Sequence, residues 1–417
     1  MTDSSKHDVV VIGGGVIGVC AAYELAKGGV PVTLIEQGEI AAGSSYGNAG
    51  LIVPSHIVPL AAPGLPLQGL KWMFNPESPF YIKPHFDWDL LDWMIRFASA
   101  SRRGPMMRAL PVLRDLLFAS RAIFDEIASQ GDFDFCYEQK GTLLIYLTPR
   151  GLEGGVEEAD LISQYGVETR ILNSDDLHEL EPALRPEVIG GVQFLQDAHL
   201  DPTRFVTGLA EKARALGAKI LTKTEVLGFE SSGSRILKVR TTRGDLAAEQ
   251  VILAAGAWSP AVIRELKLKL PVQAAKGYSI TLERPQVCPE IPLMFGEARC
   301  VVTPLGGRLR LAGTLELAGM DFSINQRRVA ALHRNSSKYL PGLDSVRVLE
   351  VWRGLRPCTP DGLPVIGRVQ AYQNLIVATG HAMLGMSLGP ITGKLVSQLA
   401  QNEEPEIDLA SLRLERF

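Results

Sequence analysis

Three glycines, at positions 13, 15 and 18, constrain this chain more than any other feature because of what flanks them. Before them, Asp8 to Ile12 is a short run of β-branched residues. After them a helical pattern passes through Cys20, Tyr23, Leu25 and Ala26 until Gly28 and Gly29 stop it. Val30 to Glu36 then reads as a second buried strand. Strand, glycine turn, helix and strand form a βαβ unit with parallel strands. In such a unit Gly13 permits the tight turn, Gly15 lets a pyrophosphate approach the backbone, and Gly18 lets the helix pack against the strand. Val16 and Ile17 open the helix, whose N-terminus directs free N–H groups at the phosphates. Glu36 at the end of the second strand, with Gln37 beside it, is placed to accept bonds from both ribose hydroxyls and to repel a 2′-phosphate. NADP is therefore disfavoured. The unit by itself admits FAD or NAD, and its place near the N-terminus, with a second domain interrupting the fold, favours FAD.

The chain has 417 residues, more than one hydrophobic core usually organises, so two domains are expected. Forty-two basic and 46 acidic residues leave a net charge of −4, and nothing in that balance suggests a nucleic-acid binder, which would show a basic stripe. The apolar content of 46% excludes disorder. Cysteines 20, 136, 288, 300 and 358 form no C-x-x-C pair, so no metal site, cysteine-ligated cluster or disulfide framework is expected. A reducing, cytoplasmic compartment follows. No run reaches the roughly 20 apolar residues that span a bilayer. Val9 to Tyr23 superficially imitates a signal peptide, but its glycines argue otherwise.

Further along, Ala41 to Ser55 reads as a loop. Residues 59 to 130 carry helical patterns broken by prolines 63, 66, 76, 79, 84, 105 and 111. Strands are expected at 141–147 and 191–195, a capped helix at 201–217, a strand at 219–221 and hairpin strands near 226–229 and 236–241. Val251 to Gly256 and Leu375 to Gly380 read as buried parallel strands, and a final helix as 390–401. Strands at 277–282, 300–303 and 308–313 suggest a mostly antiparallel second sheet. Parallel signatures thus sit at the start, middle and end of the chain. The expected fold class is α/β: a Rossmann-like nucleotide-binding domain assembled from segments 1–57, 198–262 and 345–417. A second, α+β domain for substrate is built from 58–197 and 263–344.

Three further segments carry a family resemblance: Ala42 to Gly50 (A-G-S-S-Y-G-N-A-G), Lys276 to Thr281 (K-G-Y-S-I-T), and Trp352 to Gly367 (W-R-G-L-R-P-C-T-P-D-G-L-P-V-I-G) followed by Asn374 to His381. Together they resemble the FAD-dependent D-amino-acid dehydrogenases, within the group that includes glycine oxidase, sarcosine oxidase and D-amino-acid oxidase. The resemblance implies that Arg356, in the G-L-R-P segment, holds the substrate carboxylate with its planar two-pronged fork. Tyr278 has two readings, a further donor to that carboxylate or a ring packed within the second sheet. Ser44, Ser45, Asn48, Ala49, Gly50 and Leu51 lie in the loop that passes the flavin in similar proteins. Val226, Ala255, Gly256 and Trp258 join the cofactor set. Gly380, His381, Ala382, Met383, Leu384, Gly385 and Met386 match the stretch beside the flavin's pyrimidine edge, with His381 a candidate site residue.

Two departures stand out. Sarcosine oxidases attach FAD through a cysteine six residues before the proline of T-P-D; here that position is Gly354, so non-covalent FAD is expected. Related dehydrogenases commonly carry glycine and tryptophan where this chain has Ala382 and Met386, which bears on substrate size. No Ser/His/Asp set or paired carboxylates stand out, as suits an enzyme whose cofactor performs the hard step. The resemblance implies oxidation of an amino acid, proline- or hydroxyproline-like rings included, by hydride transfer from Cα to flavin N5, with no dedicated side-chain base required. Electrons would pass to a quinone or the respiratory chain. The aromatic segment from Trp72 to Phe97, with Arg102, Arg103 and Arg108, is either the wall of the substrate domain or a peripheral contact with the inner face of the cytoplasmic membrane. An oxygen-using amine oxidase, or a non-catalytic FAD subunit of an electron-transfer complex, are the alternatives.

Overall fold

The computed structural model describes residues 8–65, 69, 78, 80–83 and 87–417. A six-stranded sheet runs Val365–Val369, Tyr372–Thr379, Gln250–Leu253, Val9–Ile12, Val32–Ile35, Lys219–Leu221, parallel except for the first strand. Its inner strands are almost wholly buried because helices Val16–Lys27, Pro202–Ala215 and Gly385–Ala400 cover one face. A small antiparallel sheet of Val226–Ser232, Arg235–Thr241 and Leu246–Ala247 contributes to the apolar layer on the other. Three distant stretches of sequence therefore build one sheet.

The second sheet has nine strands in the order Val348–Cys358, Gln273–Glu283, Arg308–Leu317, Cys300–Leu305, Leu293–Phe295, Thr142–Tyr146, Gly190–Phe194, Thr169–Asn173, with Phe80–Ile82 pairing beside Arg308–Leu317. It is antiparallel apart from two pairings, Leu293–Phe295 with the Thr142 strand and Phe80–Ile82 with the Arg308 strand. Helix Gln326–Ser336 packs beneath it, and Phe295 stacks on Tyr339 at 4.0 Å between ring centres.

Three expectations change. Val348–Cys358, placed by sequence in the third nucleotide-domain segment, pairs along its length with Gln273–Glu283 in the second sheet. Its glycine, arginine and proline hide any alternating pattern, and only pairing makes it a strand. Pro105 and Pro111 do not break the helical region: one helix spans Arg103–Gln130. Pro105 falls in its first turn, where the missing N–H is not needed. The last helix begins at Gly385 rather than at Pro390, which lies inside it. Of the aromatic segment, Trp72, Phe74 and Phe86, like prolines 66, 76, 79 and 84, lie outside the described residues.

Candidate active site

Both sheets line one cavity of about 1520 Å³. That exceeds the few hundred to 1,000 Å³ typical of a single drug-sized ligand. At one end stands the glycine turn. Gly13 has φ +114°, and a Cβ there would lie 2.5 Å from the Ala254 carbonyl oxygen. A Cβ on Gly18 would come within 1.8 Å of the Gly13 oxygen, so that glycine sets the helix–strand distance. A Cβ on Gly15 would make only ordinary contact, its nearest atom being Ser45 Oγ at 3.5 Å. Ser45 Oγ accepts from the Val16 N–H at 3.0 Å, satisfying one orphan donor of the helix. The Glu36 carboxylate accepts from the N–H groups of Gly14 (2.6 Å) and Gly38 (2.8 Å), which pins it at the cavity wall.

The loop after this unit is clamped onto the second sheet. Ser44 Oγ donates to the Leu355 carbonyl at 2.5 Å. The buried Arg310 donates to the carbonyls of Tyr46 (3.1 Å) and Asn48 (2.9 Å). Asn48 itself turns the loop by accepting from the Gly50 N–H.

Arg356 lies on the same cavity, half-buried, on the edge strand Val348–Cys358. Its position is built by three features. Gly277 on the neighbouring strand has no side chain, and a Cβ there would meet Arg356 Nη1 at 1.9 Å. Opposite Gly277 the ladder bulges, Lys276 pairing with Glu316 but Tyr278 with Gly313. Within that bulge Thr314 adopts φ +65°, a rare state for a β-branched residue, and its carbonyl accepts from Arg356 Nη1 at 2.8 Å. Backbone strain of this kind is characteristic of functional sites. Among the described residues no carboxylate is found paired with Arg356, whose pKa burial lowers. The guanidinium stays cationic regardless and keeps donors for an incoming anion.

Tyr278 does not join it. Strand alternation puts Tyr278 on the opposite face, with Lys276 and the core residues Ile280 and Leu282. Its hydroxyl accepts from the Asn325 N–H at 3.2 Å. Of the two readings, the packed ring is the one observed.

At the far end, Ala382 to Met386 line the cavity where the last helix begins. His381 is buried, with Nε2 3.0 Å from Thr392 Oγ1, and burial pushes its pKa down to about 3, so the imidazole is neutral. Ala382 has φ +46°, a left-handed conformation that glycine adopts more readily than alanine. Cys358 is buried, its thiol pKa pushed up to about 12 by desolvation. A Cβ on Gly354 would run into the Trp352 ring. The inner side of helix Trp88–Ala100 closes the wall, Trp93 Nε1 donating to the Cys358 carbonyl at 2.9 Å.

All of the predicted residues border this cavity except Gly18, Gly50 and Gly380. Gly50 and Gly380 serve as positive-φ turns, φ +79° and +80°. Sequence reasoning missed Thr314, Gly277 as the seat of the guanidinium, Arg310, and the pair Ser55 and His56, which also line the cavity. The residues present fit FAD. A volume large enough for a dinucleotide and a substrate joins an open glycine turn with helix donors, an anchored carboxylate and a second helix N-terminus. No group of His, Cys, Asp and Glu suited to a metal occurs among the described residues.

A fold of this kind, with this cavity, defines a flavin-dependent oxidoreductase. The chain belongs to the family described as FAD dependent oxidoreductase, whose model matches residues 8–399. It is 33% identical to D-amino acid dehydrogenase 1 of Mesorhizobium japonicum, over 98% of this chain and 99% of that protein. It is 32% identical to a D-amino acid dehydrogenase of Granulibacter bethesdensis with the same coverage. The structure resembles glycine oxidase from Geobacillus kaustophilus with a TM-score of 0.81 and 25% identity, covering 99% of both chains. It also shares the fold of an L-proline dehydrogenase from P. horikoshii, TM-score 0.78 and 22% identity, over 100% and 98% of the two chains.

Proposed function

We propose that this chain is an FAD-dependent D-amino-acid dehydrogenase in which Arg356 holds the substrate carboxylate. The observation that carries this is a half-buried guanidinium in the cavity, seated over a glycine and oriented by a strained carbonyl, with no described carboxylate paired to it. An unpaired cation in such a place is costly, and a substrate carboxylate relieves that cost with two parallel charge-assisted bonds. FAD, when bound, supplies the hydride acceptor. The chain's own part is to fix the substrate by one end so that its Cα–H has one orientation, and to exclude water from that bond. The oxidised product is an imine. Water hydrolyses it to a 2-oxo acid, or it persists as a cyclic imine when the substrate is a proline-like ring.

The relatives' names favour D-amino acids, and the electron acceptor fits a quinone or respiratory carrier. No described helix is long and apolar enough to cross a membrane. Trp88, Leu91 and Ile95 form an exposed apolar stripe on one helix, Trp88 being 70% and Ile95 63% exposed, which supports peripheral contact with the membrane that holds such an acceptor. The division into a nucleotide domain (1–57, 198–262, 345–417) and a substrate domain (58–197, 263–344) is likewise our reading, with Val348–Cys358 moved to the latter by its pairing.

An anaerobic screen of D- and L-amino acids for loss of flavin absorbance tests the activity. Reduction by D-amino acids, with Arg356→Ala retaining FAD but binding substrate at least 30-fold more weakly, is expected. Unchanged kinetics in that variant refute the anchor. Peroxide formation with O₂ as sole acceptor, at the rate seen with quinones, identifies an oxidase of the kind the glycine oxidase likeness suggests.

A further inference from the structure

Behind the cavity wall lies a hydrogen-bonded chain that the binding of cofactor and carboxylate leaves unused. Asp197 is 1% exposed and accepts three hydrogen bonds, from the Ser55 N–H (3.1 Å), Ser55 Oγ (2.7 Å) and Thr142 Oγ1 (2.6 Å). Ser55 Oγ is also 3.0 Å from Nδ1 of His56, and both Ser55 and His56 line the cavity. The segment is firmly held. Ser387 Oγ of the last helix donates to the Leu51 carbonyl and accepts from the Val53 N–H.

While Asp197 is ionised, the proton count fixes the imidazole tautomer. Ser55 has one hydroxyl hydrogen, and an ionised Asp197 can only accept, so that hydrogen points to Asp197. Toward His56 the serine oxygen can then only accept, so Nδ1 carries the ring hydrogen. Nε2 is left as a lone-pair acceptor, with no hydrogen-bond partner found for it among the described residues.

We propose that His56 Nε2 takes the proton that the substrate ammonium must lose before oxidation, and that Ser55 passes a proton on to Asp197. This rests on the function proposed above. A protonated amine has no lone pair with which to form the imine as the Cα–H bond breaks, so a zwitterionic substrate must first be deprotonated. The transfer balances atom by atom. A substrate N–H bond breaks as Nε2–H forms; Nδ1–H breaks as a Ser55 O–H forms; the original Ser55 O–H breaks as Asp197 Oδ2–H forms. The ammonium becomes an amine, the carboxylate becomes a carboxylic acid, and the imidazole ends neutral in its other tautomer.

The surroundings suit this direction. Burial pushes His56 down to about 4 and Asp197 up to about 7, so a neutral ring stands in front of a carboxylate able to receive a proton near neutrality. The cation that acts on Asp197 is Arg121, itself paired with Asp125. His199, two residues along, is held neutral by burial, pushed down to about 4, with Glu138, Lys140 and Glu290 beyond it.

Anaerobic stopped-flow flavin reduction between pH 6 and 10, with the best amino acid from the screen, tests the relay. In His56→Ala and in Ser55→Ala, which keeps both ends and cuts the middle, the rate at pH 7 should fall about 100-fold and recover as the solution deprotonates the amine. A packing role would lower the rate by the same factor at every pH, and that result overturns the relay. ¹⁵N NMR of histidine-labelled holoenzyme, with His56→Asn to assign the signal, gives a readout independent of turnover. At pH 9, where Asp197 is ionised, the Nδ1–H form is expected for His56 in the wild type and its loss in Ser55→Ala; an Nε2–H form in the wild type at that pH sinks the idea. If the wild type is reduced by no amino acid, the parent function falls and the relay with it. Normal reduction with matching pH profiles in both alanine variants removes the relay alone.

Discussion

Gly277→Ala is the sharpest test of how the site is assembled, because the residue has no chemistry of its own. The added Cβ would lie 1.9 Å from Arg356 Nη1 and 2.5 Å from Cζ and Nη2, whereas ordinary contact begins near 3.4 Å. The guanidinium must therefore retreat by about 1.5 Å. Because the obstructing atoms are the end of a flexible side chain rather than backbone, the fold absorbs the change and FAD content should match the wild type. The bond from Arg356 Nη1 to the Thr314 carbonyl, now 2.8 Å, is lost in the process. Misplacing an anchor by about 1 Å costs on the order of 100-fold in rate, or about 2.7 kcal/mol of transition-state binding. The assay is the dependence of anaerobic flavin reduction on substrate concentration, and kcat/KM should drop by about that factor. Wild-type kcat/KM in this variant would falsify the placement of the substrate carboxylate at Arg356.

Other consequences are equally direct. Gly18→Ala puts a Cβ 1.8 Å from the Gly13 oxygen, so the helix must move off the strand; the purified protein should be colourless and melt earlier. Ala382→Gly relieves a φ of +46° and should raise stability in a denaturant titration by up to about 1 kcal/mol, without changing FAD content. His381, pushed down to about 3 by burial, binds its proton in the unfolded chain first. Its contribution is complete above the unfolded pKa near 6.5 and is lost as pH falls from there toward 3. His381→Gln should flatten the fall in stability across that window by about 1.4 kcal/mol per pH unit. An unaltered slope would mean that the imidazole is not held neutral.

Much of the nucleotide half was legible because its signals are local. A glycine that must take φ +114°, a helix starting three residues later and an acid at a strand end all lie within one short stretch. The interleaving of three segments was legible too, since Val251–Leu253 and Leu375–Val377 are continuous apolar runs that suit only strands covered on both faces. Arg356 is singled out by resemblance alone, and the strand that carries it is not legible, because W-R-G-L-R-P has no period. Tyr278 shows the limit of adjacency. One residue from Gly277 along the chain, it points through the sheet in the other direction, a consequence of two-residue alternation.

His56 shows the same limit across a longer gap. Ser55 and Asp197 are 142 residues apart, and nothing in either segment announces the other.

The amino-acid order alone therefore determined the parallel nucleotide sheet, the helix N-termini and the charge-poor strands that must be buried, since each depends on neighbours a few residues away. Only the tertiary structure decided which side chains share the cavity. A strained carbonyl from one strand, an empty place on the next and a guanidinium from a third meet through pairing across the sheet. Pairing energy depends on register between distant segments, which the local pattern of any one of them does not encode.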